Sequence, residues 1–177
     1  MPTCYRDRAV GSVRFTHLDK EGQPHMVDVS DKAPTERSAM AECRVVISPD
    51  VLKDVIDGSE GQHTVKGSPI HVAQLAGIMG AKKTSDLIPL CHPLPIESVS
   101  VDVKPDLDQS CIYIVATVRT IARTGVEMEA LTAVSVAALS LYDMLKAADR
   151  SITINDVRLL KKVGGRSGTF SILGDRE

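Results

Sequence analysis

Alternating hydrophobic and polar positions predict most of the strands in this chain. Residues 39–47 alternate along their whole length, which predicts a strand. The stretches 99–103 and 112–118 alternate in the same way, and the polar link 105–110 between them predicts a β-hairpin. Further strands are predicted near 152–160 and 169–173.

Serine–proline pairs predict where two helices begin. Ser48-Pro49 begins a short helix that Gly58 should end, and Ser68-Pro69 begins a helix over 69–83. The longest helix is predicted over 127–148, because this stretch contains no glycine or proline. Its middle is apolar or small on nearly all sides, so we expect the sheet, and in an oligomer a second subunit, to bury it.

The order of these elements predicts the fold class. The main elements follow one another as β-α-β-β-α-β, which is the ferredoxin-like pattern of an α+β fold, an antiparallel sheet with helices on one face. Residues 1–24 are polar and lack a period, so we expect a tail or flexible arm there. The predicted division is a flexible N-terminal tail over 1–15 and a single domain over 16–177.

Composition excludes several classes of function. The net charge is only -2, aromatic residues make up 3%, and tryptophan is absent, so a stacking surface for single-stranded nucleic acid is not expected. No run approaches the roughly 18 apolar residues of a membrane span. The four cysteines form no C-x-x-C pair and the N-terminus does not resemble a signal peptide. We therefore expect a soluble cytoplasmic protein that binds neither nucleic acid nor membrane.

Asp143 and Lys146 are the first candidates for chemistry. Residues three positions apart share one face of a helix, so these two side chains can interact. The alternative is a surface ion pair, which stabilises a helix by only about 0.3–0.5 kcal/mol. The helix dipole favours Lys146 near the C-terminal end and disfavours Asp143 there. An unfavourably placed carboxylate beside a lysine is a candidate acid–base pair.

The start of the long helix and one loop supply further candidates. Thr124 and Glu127 match a capping box, which would give Glu127 a structural role, whereas the cap leaves Glu129 unexplained. Cys91 and His92 lie on a loop that flanking prolines stiffen, which suits a substrate contact. A partly exposed loop histidine without a function is an equally simple interpretation.

Two basic segments have features of phosphate sites. Lys66 comes just before the helix start at Ser68, where backbone N–H groups are free. The glycine-rich turn GGRSG (164–168) follows Lys161 and Lys162 and could hold an anion through its backbone amides, although it lacks the P-loop pattern. The histidines show no close paired spacing, so no metal site is expected.

Five blocks, in order, resemble one known family. They are HMVDVS (25–30), LIPLCHP (87–93), TGVEMEAL (124–131), YDM with KA (142–147), and VRLL with GGRSG (157–168). Together they cover roughly residues 16–171 and resemble the MoaC family of molybdenum cofactor biosynthesis.

The resemblance implies a reaction and a set of site residues. It implies a lyase that converts 3′,8-cyclodihydro-GTP to cyclic pyranopterin monophosphate with release of pyrophosphate. It makes Asp143 and Lys146 the central catalytic pair and Lys66 a second catalytic lysine. The substrate-binding residues that it implies are Leu90, Cys91, His92, Glu127, Met128, Glu129, Asp28, Arg37, Lys162 and Arg166.

The resemblance also implies partners. We expect a homohexamer, a trimer of dimers with the site between subunits, and a small-molecule substrate supplied by a radical-SAM enzyme that acts on GTP. No cofactor is expected, although Mg²⁺ can accompany a triphosphate. The chain departs from the family pattern at Ser68, where an acidic residue is expected, and at Arg166, where lysine is common.

Two other functions are compatible with parts of this pattern. One is a non-catalytic nucleotide-binding or regulatory module, because the ferredoxin-like fold hosts many functions. The other is a zinc hydrolase that uses Cys91 and His92. A non-catalytic module has no turnover, so changes of Asp143 or Lys146 could not lower it. A zinc hydrolase would contain stoichiometric metal in the purified protein.

Overall fold

One open antiparallel sheet organises the part of the chain that the computed structural model describes, residues 16–60, 68–166 and 168–173. Its strand order is β2-β3-β1-β4-β5, so the four long strands follow the split βαβ order that the sequence predicts. The α+β class is therefore confirmed. The strands are β1 (Thr35–Val46), β2 (Ser98–Asp106), β3 (Cys111–Ala122), β4 (Thr153–Val163) and β5 (Phe170–Ser171).

Two of the helices cover one face of this sheet. α4 contacts β1, β3 and β4, while α2 lies beside α4 and contacts β2. Gly80 of α2 is needed for this close packing, because a Cβ there would lie 2.8 Å from the Cβ of Val136. The helices are α1 (Pro49–Glu60), α2 (Pro69–Lys82), α3 (Thr84–Leu87) and α4 (Glu127–Leu145).

The core lies between α4 and the sheet. Alternate residues of the strands point towards the helix, among them Ala41, Cys43 and Ile114, each with no exposed surface. The thiol of Cys43 donates to the carbonyl oxygen of Val134 at 3.4 Å, because small residues let helix and strand approach closely. The predicted burial of the middle of α4 is confirmed, although Leu139 faces outwards with 59% of its surface exposed.

By length and composition alone, α4 is long and apolar enough to span a membrane. Among the described residues it is the only helix of this kind. Its contacts with three strands and with α2 explain this composition, because a core helix is apolar on most sides.

Several predicted boundaries are wrong. α1 continues through Gly58 to Glu60, because a glycine costs only about 1 kcal/mol in a helix and does not by itself end it. α4 ends at Leu145 rather than at residue 148. The N–H groups of Ala148 and Asp149 both donate to the carbonyl of Leu145. The link of the β2–β3 hairpin is 107–110, shorter than predicted.

The described part of the predicted arm is a defined turn, here called the N-terminal hairpin (residues 16–25). Oδ1 of Asp19 accepts hydrogen bonds from the N–H groups of Glu21 at 2.9 Å and Gln23 at 2.8 Å. The N–H of His25 donates to the carbonyl of His17 at 2.9 Å. Residues 16–24 of the predicted arm thus lie in a hydrogen-bonded turn, while residues 1–15 lie outside the described part.

A buried carboxylate closes the turn after α4. Asp149 accepts hydrogen bonds from the N–H of Ser48 at 2.9 Å, and from the N–H and hydroxyl of Ser151 at 2.8 and 2.6 Å. The hydroxyl of Ser151 and these N–H groups lower the pKa of Asp149 to about 2. The carboxylate thus links the end of α4 to the start of α1.

Candidate active site

The N-terminal end of α4 is where most of the predicted substrate-binding residues meet. A cavity of about 300 Å³, here called the small cavity, opens between this helix end, the 90–94 loop, the segment 27–32 and the N-terminal hairpin. It brings together six of the predicted binding residues: Leu90, Cys91, His92, Glu127, Met128 and Glu129.

Glu127 does not have the capping role that the sequence predicts. α4 begins at Glu127 itself, and its N-cap residue is Val126, so Thr124 cannot complete a capping box. Glu127 instead folds its carboxylate over Gly125, where a Cβ would collide with it. The capping prediction is wrong, and the Glu127 carboxylate is placed at the cavity.

Glu129 is an unusual carboxyl group because only 4% of its residue surface is exposed. Burial raises the pKa of Glu129, and the nearby Glu127 carboxylate raises it further, while its own backbone N–H opposes the shift. Burial likewise raises the pKa of the Cys91 thiol, with a contribution from Glu129. The small cavity therefore favours a neutral carboxyl and a neutral thiol.

Asp28 lies at the edge of this region. Oδ1 of Asp28 accepts hydrogen bonds from the N–H of Ser30 at 2.8 Å and from its hydroxyl at 2.6 Å. These bonds lower the pKa of Asp28, and His92 lowers it slightly as well. Asp28 itself does not line the small cavity, although its neighbours Val27 and Val29 do.

A second and larger cavity, here called the cationic cavity, adjoins the first. Its volume is about 720 Å³, and it brings together Arg37, Lys162 and Arg166 from distant parts of the sequence. Lys32 and Arg123 add two more cations, against three acidic residues (Asp31, Glu36 and Glu127) in its described lining. This excess of positive charge suits a polyanion.

Arg37 is the buried member of the cationic cavity, with 9% of its surface exposed. Its Nε donates to the carbonyl of Ala122 at 3.3 Å, and its guanidinium lies against Gly165, whose φ is +80°. A Cβ at Gly165 would collide with this guanidinium. Among the described residues no carboxylate lies within 4.0 Å of Arg37, so its charge is available to an anionic ligand.

The two cavities share part of their lining. Both are lined by Lys32, Thr124, Gly125 and Glu127, so a ligand that fills one reaches the wall of the other. Sequence reasoning did not predict Lys32, Arg123, Thr16 or His17 as lining residues. Lys32 follows the HMVDVS block by two positions and Arg123 immediately precedes TGVEMEAL, so closeness to these blocks was the available signal.

The predicted catalytic pair lies elsewhere. Nζ of Lys146 donates to Oδ1 of Asp143 at 2.6 Å, and their side chains are 54% and 73% exposed. This hydrogen bond raises the pKa of Lys146. Residues 127 and 143 are 16 positions apart on α4, which corresponds to about 24 Å along the helix axis. Within one chain the pair therefore cannot act on a molecule held at the small cavity.

The third predicted catalytic residue, Lys66, lies outside the described residues, as does Ser167 of the glycine-rich turn. The helix start beside Lys66 is confirmed at Pro69, with Ser68 as the N-cap residue. The hydroxyl of Ser68 makes no capping bond, and its Oγ is buried without a hydrogen-bond partner among the described residues.

Comparison with known proteins identifies the family. The model of the MoaC family matches residues 26–165. A cyclic pyranopterin monophosphate synthase of Dinoroseobacter shibae is 56% identical over 156 residues, covering 88% of this chain and 96% of the relative. Synthases of the same name from Thermomicrobium roseum and Nostoc are 54% and 53% identical, covering 88% and 90% of this chain and 92% of each relative. The chain belongs to the MoaC family.

Proposed function

We propose that this protein is a cyclic pyranopterin monophosphate synthase of molybdenum cofactor biosynthesis. It converts 3′,8-cyclodihydro-GTP to cyclic pyranopterin monophosphate and releases pyrophosphate. Family membership and the name shared by its relatives support this activity. The structural observation that carries the proposal is a pair of adjacent cavities, a small one with a buried acid beside a larger one rich in cations.

In this proposal the small cavity holds the heterocyclic part of the substrate. Leu90 and Met128 offer apolar contact surface to a ring, and Glu129 offers a hydrogen-bonding group at low exposure. Because its pKa is raised, Glu129 keeps its proton to a higher pH than an exposed glutamate and can donate a hydrogen bond to a ring nitrogen or oxygen.

The cationic cavity holds the phosphates. Arg37 is suited to bind two phosphate oxygens at once, because its guanidinium is planar, buried and held in place by the Ala122 carbonyl and Gly165. Lys162, just before the glycine-rich turn, and Arg166, within it, supply further charge. These cations would stabilise the negative charge that develops on pyrophosphate as it leaves.

Asp143 and Lys146 enter the site from a neighbouring subunit. We propose this because Asp143 lies about 21 Å along α4 from Glu129 in the small cavity of its own chain, yet the pair matches the family's catalytic pair. A homohexamer, a trimer of dimers, would bring the C-terminal end of one α4 to the small cavity of another chain. Exposed apolar residues on the outer side of the helical layer, Leu75, Met79 and Leu139, supply surface for such contacts.

The proposed chemistry is proton transfer combined with charge stabilisation. Rebuilding a purine as a pterin requires protons to move on and off ring nitrogens, which a hydrogen-bonded lysine and carboxylate can perform. The hydrogen bond from Lys146 to Asp143 holds an ammonium group, which carries protons, beside a carboxylate, which can accept one. Lys66 would contribute a second ammonium group near the α2 start.

The remaining partners follow from the substrate. We propose that a radical-SAM enzyme acting on GTP supplies it, that the reaction takes place in the cytoplasm, and that the protein needs no cofactor of its own. Mg²⁺ would enter only as a companion of the triphosphate.

Supplying the cyclised GTP intermediate to the purified protein tests the function directly. We expect a pterin product and one pyrophosphate per turnover. Asp143→Asn and Lys146→Ala should each lower turnover by about 10²–10⁴-fold, the usual size of an acid–base contribution. Unchanged thermal melting of these variants would show that the fold is intact, since both side chains are exposed.

The same experiment separates the alternatives. A non-catalytic nucleotide-binding module would bind the intermediate without forming a pterin. A zinc hydrolase would contain stoichiometric metal and lose activity on treatment with a chelator. Wild-type turnover in both the Asp143 and the Lys146 variant would contradict the assignment of the pair.

A further inference from the structure

The N-terminal hairpin contributes to the small cavity although it precedes the segment that the family model matches. Thr16 and His17 line the cavity together with Leu90, His92 and Glu129. The family model begins at residue 26, so neither residue lies within it. The hairpin therefore provides a wall of the site that the proposed function has not used.

The hairpin holds His17 by its own hydrogen bonds. The carbonyl of His17 accepts from the N–H of His25 at 2.9 Å, and Leu18 and Pro24 form an isolated antiparallel bridge. Asp19 closes the turn through its side chain and through its backbone, whose N–H donates to the Gln23 carbonyl at 2.9 Å. These bonds hold the backbone at His17 within the hairpin.

The chemistry of the small cavity suits a hydrogen-bonding role for the His17 imidazole. The other polar side chains at the small cavity include two glutamates, one thiol and His92, and a heterocycle presents both donors and acceptors along its edges. A neutral imidazole carries one donor and one acceptor nitrogen, so it can complement either. Because His17 lies on a different segment from His92, the two rings can contact different parts of one ligand.

We propose that His17 is a further substrate-contacting residue, which hydrogen-bonds the heterocyclic part of the substrate in the small cavity. The hairpin is then the element that positions it. The identity of the substrate rests on the proposed function, whereas the contact itself rests on the lining of the cavity.

Alanine variants of the two histidines of the hairpin provide a matched test. His17→Ala should lower kcat/KM for the cyclised GTP intermediate about 3- to 10-fold, the effect expected for one lost hydrogen bond. His25→Ala should leave kcat/KM unchanged, because His25 is on the same exposed hairpin but does not line the cavity. Equal kinetics for His17→Ala and His25→Ala would overturn the proposal.

A second measurement uses the wild-type chain and does not depend on turnover. Diethylpyrocarbonate modification of each histidine is followed by mass spectrometry with and without GTP as the probe. We expect GTP to slow modification of His17 several-fold and to leave His25 unchanged. Equal rates at His17 with and without GTP would overturn the contact.

The two readouts separate this inference from the proposed function. Protection of His17 without pterin formation would contradict the function and leave the contact standing. Pterin formation with an unprotected His17 and wild-type kinetics in His17→Ala would contradict the contact alone. Absence of both turnover and protection would remove both.

Discussion

The two ends of α4 carry the two halves of the proposed chemistry in opposite environments. At the N-terminal end Glu129 is almost completely buried at the small cavity. At the C-terminal end Asp143 and Lys146 form an exposed ion pair, and neither residue lines the two cavities. About 21 Å of helix separates Glu129 from Asp143, so a rigid core helix prevents one chain from using both ends on one substrate.

The pKa shifts at these two ends have the same direction and opposite consequences. Burial raises the pKa of Glu129, which favours the neutral carboxyl. The hydrogen bond to Asp143 raises the pKa of Lys146, which favours the charged ammonium. One end therefore favours an uncharged hydrogen-bonding group, and the other holds a cationic ammonium beside a carboxylate.

Mixing two defective chains gives the largest expected effect. We expect Lys146→Ala to lower turnover about 10²–10⁴-fold, and a chain with both His92→Ala and Glu129→Ala to be similarly defective. In the proposed oligomer each site takes the N-terminal end of one α4 and the C-terminal end of another. When the two variant chains are unfolded together and reassembled at random, about one quarter of the sites should therefore combine two intact ends. Turnover should then recover to about that fraction of wild type.

The control for this experiment is a mixture of Lys146→Ala with Asp143→Asn. Both changes affect the same end of α4, so no combination restores an intact site and turnover should stay low. If the first mixture also stays low although mixed oligomers are present, the two ends of α4 do not meet across subunits.

Gly165→Ala tests the cationic cavity and should have an intermediate effect. A Cβ at this position would displace the Arg37 guanidinium, so binding of pyrophosphate, followed by calorimetry, should weaken about tenfold, as expected for one lost charged contact. Gly168→Ala is the matched control, because Gly168 also has a positive φ (+63°) but has open space at the Cβ position. Both variants carry the backbone strain of about 1–2 kcal/mol, and only the first should lose affinity.

Glu129→Gln tests the buried end of α4 through pH. If the neutral carboxyl is the active form, wild-type kcat/KM should fall as the pH rises through the raised pKa of Glu129. Glutamine cannot titrate, so the ratio of wild-type to variant kcat/KM should decrease severalfold across the same pH range. A ratio that is constant with pH, or that increases, would show that the carboxylate is the active form or that Glu129 does not act.

The smallest predicted effect concerns stability at the C-terminal end of α4. The folded-state pKa of Asp149 is about 2, below the ordinary value of 3.8, so its hydrogen bonds stabilise the fold above pH 4 and this contribution is lost as the pH falls from about 4 to about 2. Asp149→Asn should melt at a lower temperature than wild type at pH 7. The difference should shrink below pH 4 in calorimetric scans, and a difference independent of pH would contradict the role of the charge.

The fold was largely predictable because its signals are local. Alternation along residues 39–47 and proline at position 69 act within a few residues. α2 begins at Pro69 as predicted, and β1 includes the alternating stretch up to Val46 but begins earlier, at Thr35. Gly58 and the Thr124–Glu127 pair gave wrong predictions because each signal is worth only about 1 kcal/mol, which packing outweighs.

The site was only partly predictable because long-range pairing builds it. Arg37 meets the glycine-rich turn since β1 pairs with β4, with Ser38 opposite Val163, and no local pattern specifies that register. Lys32 and His17 are polar residues in polar stretches of the sequence. The sequence does not distinguish such cavity-lining residues from polar residues that only face solvent. The separation of Glu127 from Asp143, by contrast, follows from the length of one predicted helix.

The position of β1 in the sheet has a consequence for how the chain folds during synthesis. β1 is the first of the described strands to be made, yet one edge pairs with β3 and the other with β4, whose residues emerge more than a hundred positions later. Until then a long edge of β1 presents unpaired N–H and C=O groups to any other nascent chain. Ribosome-bound chains that end before residue 153 should therefore associate more readily than chains that include β4.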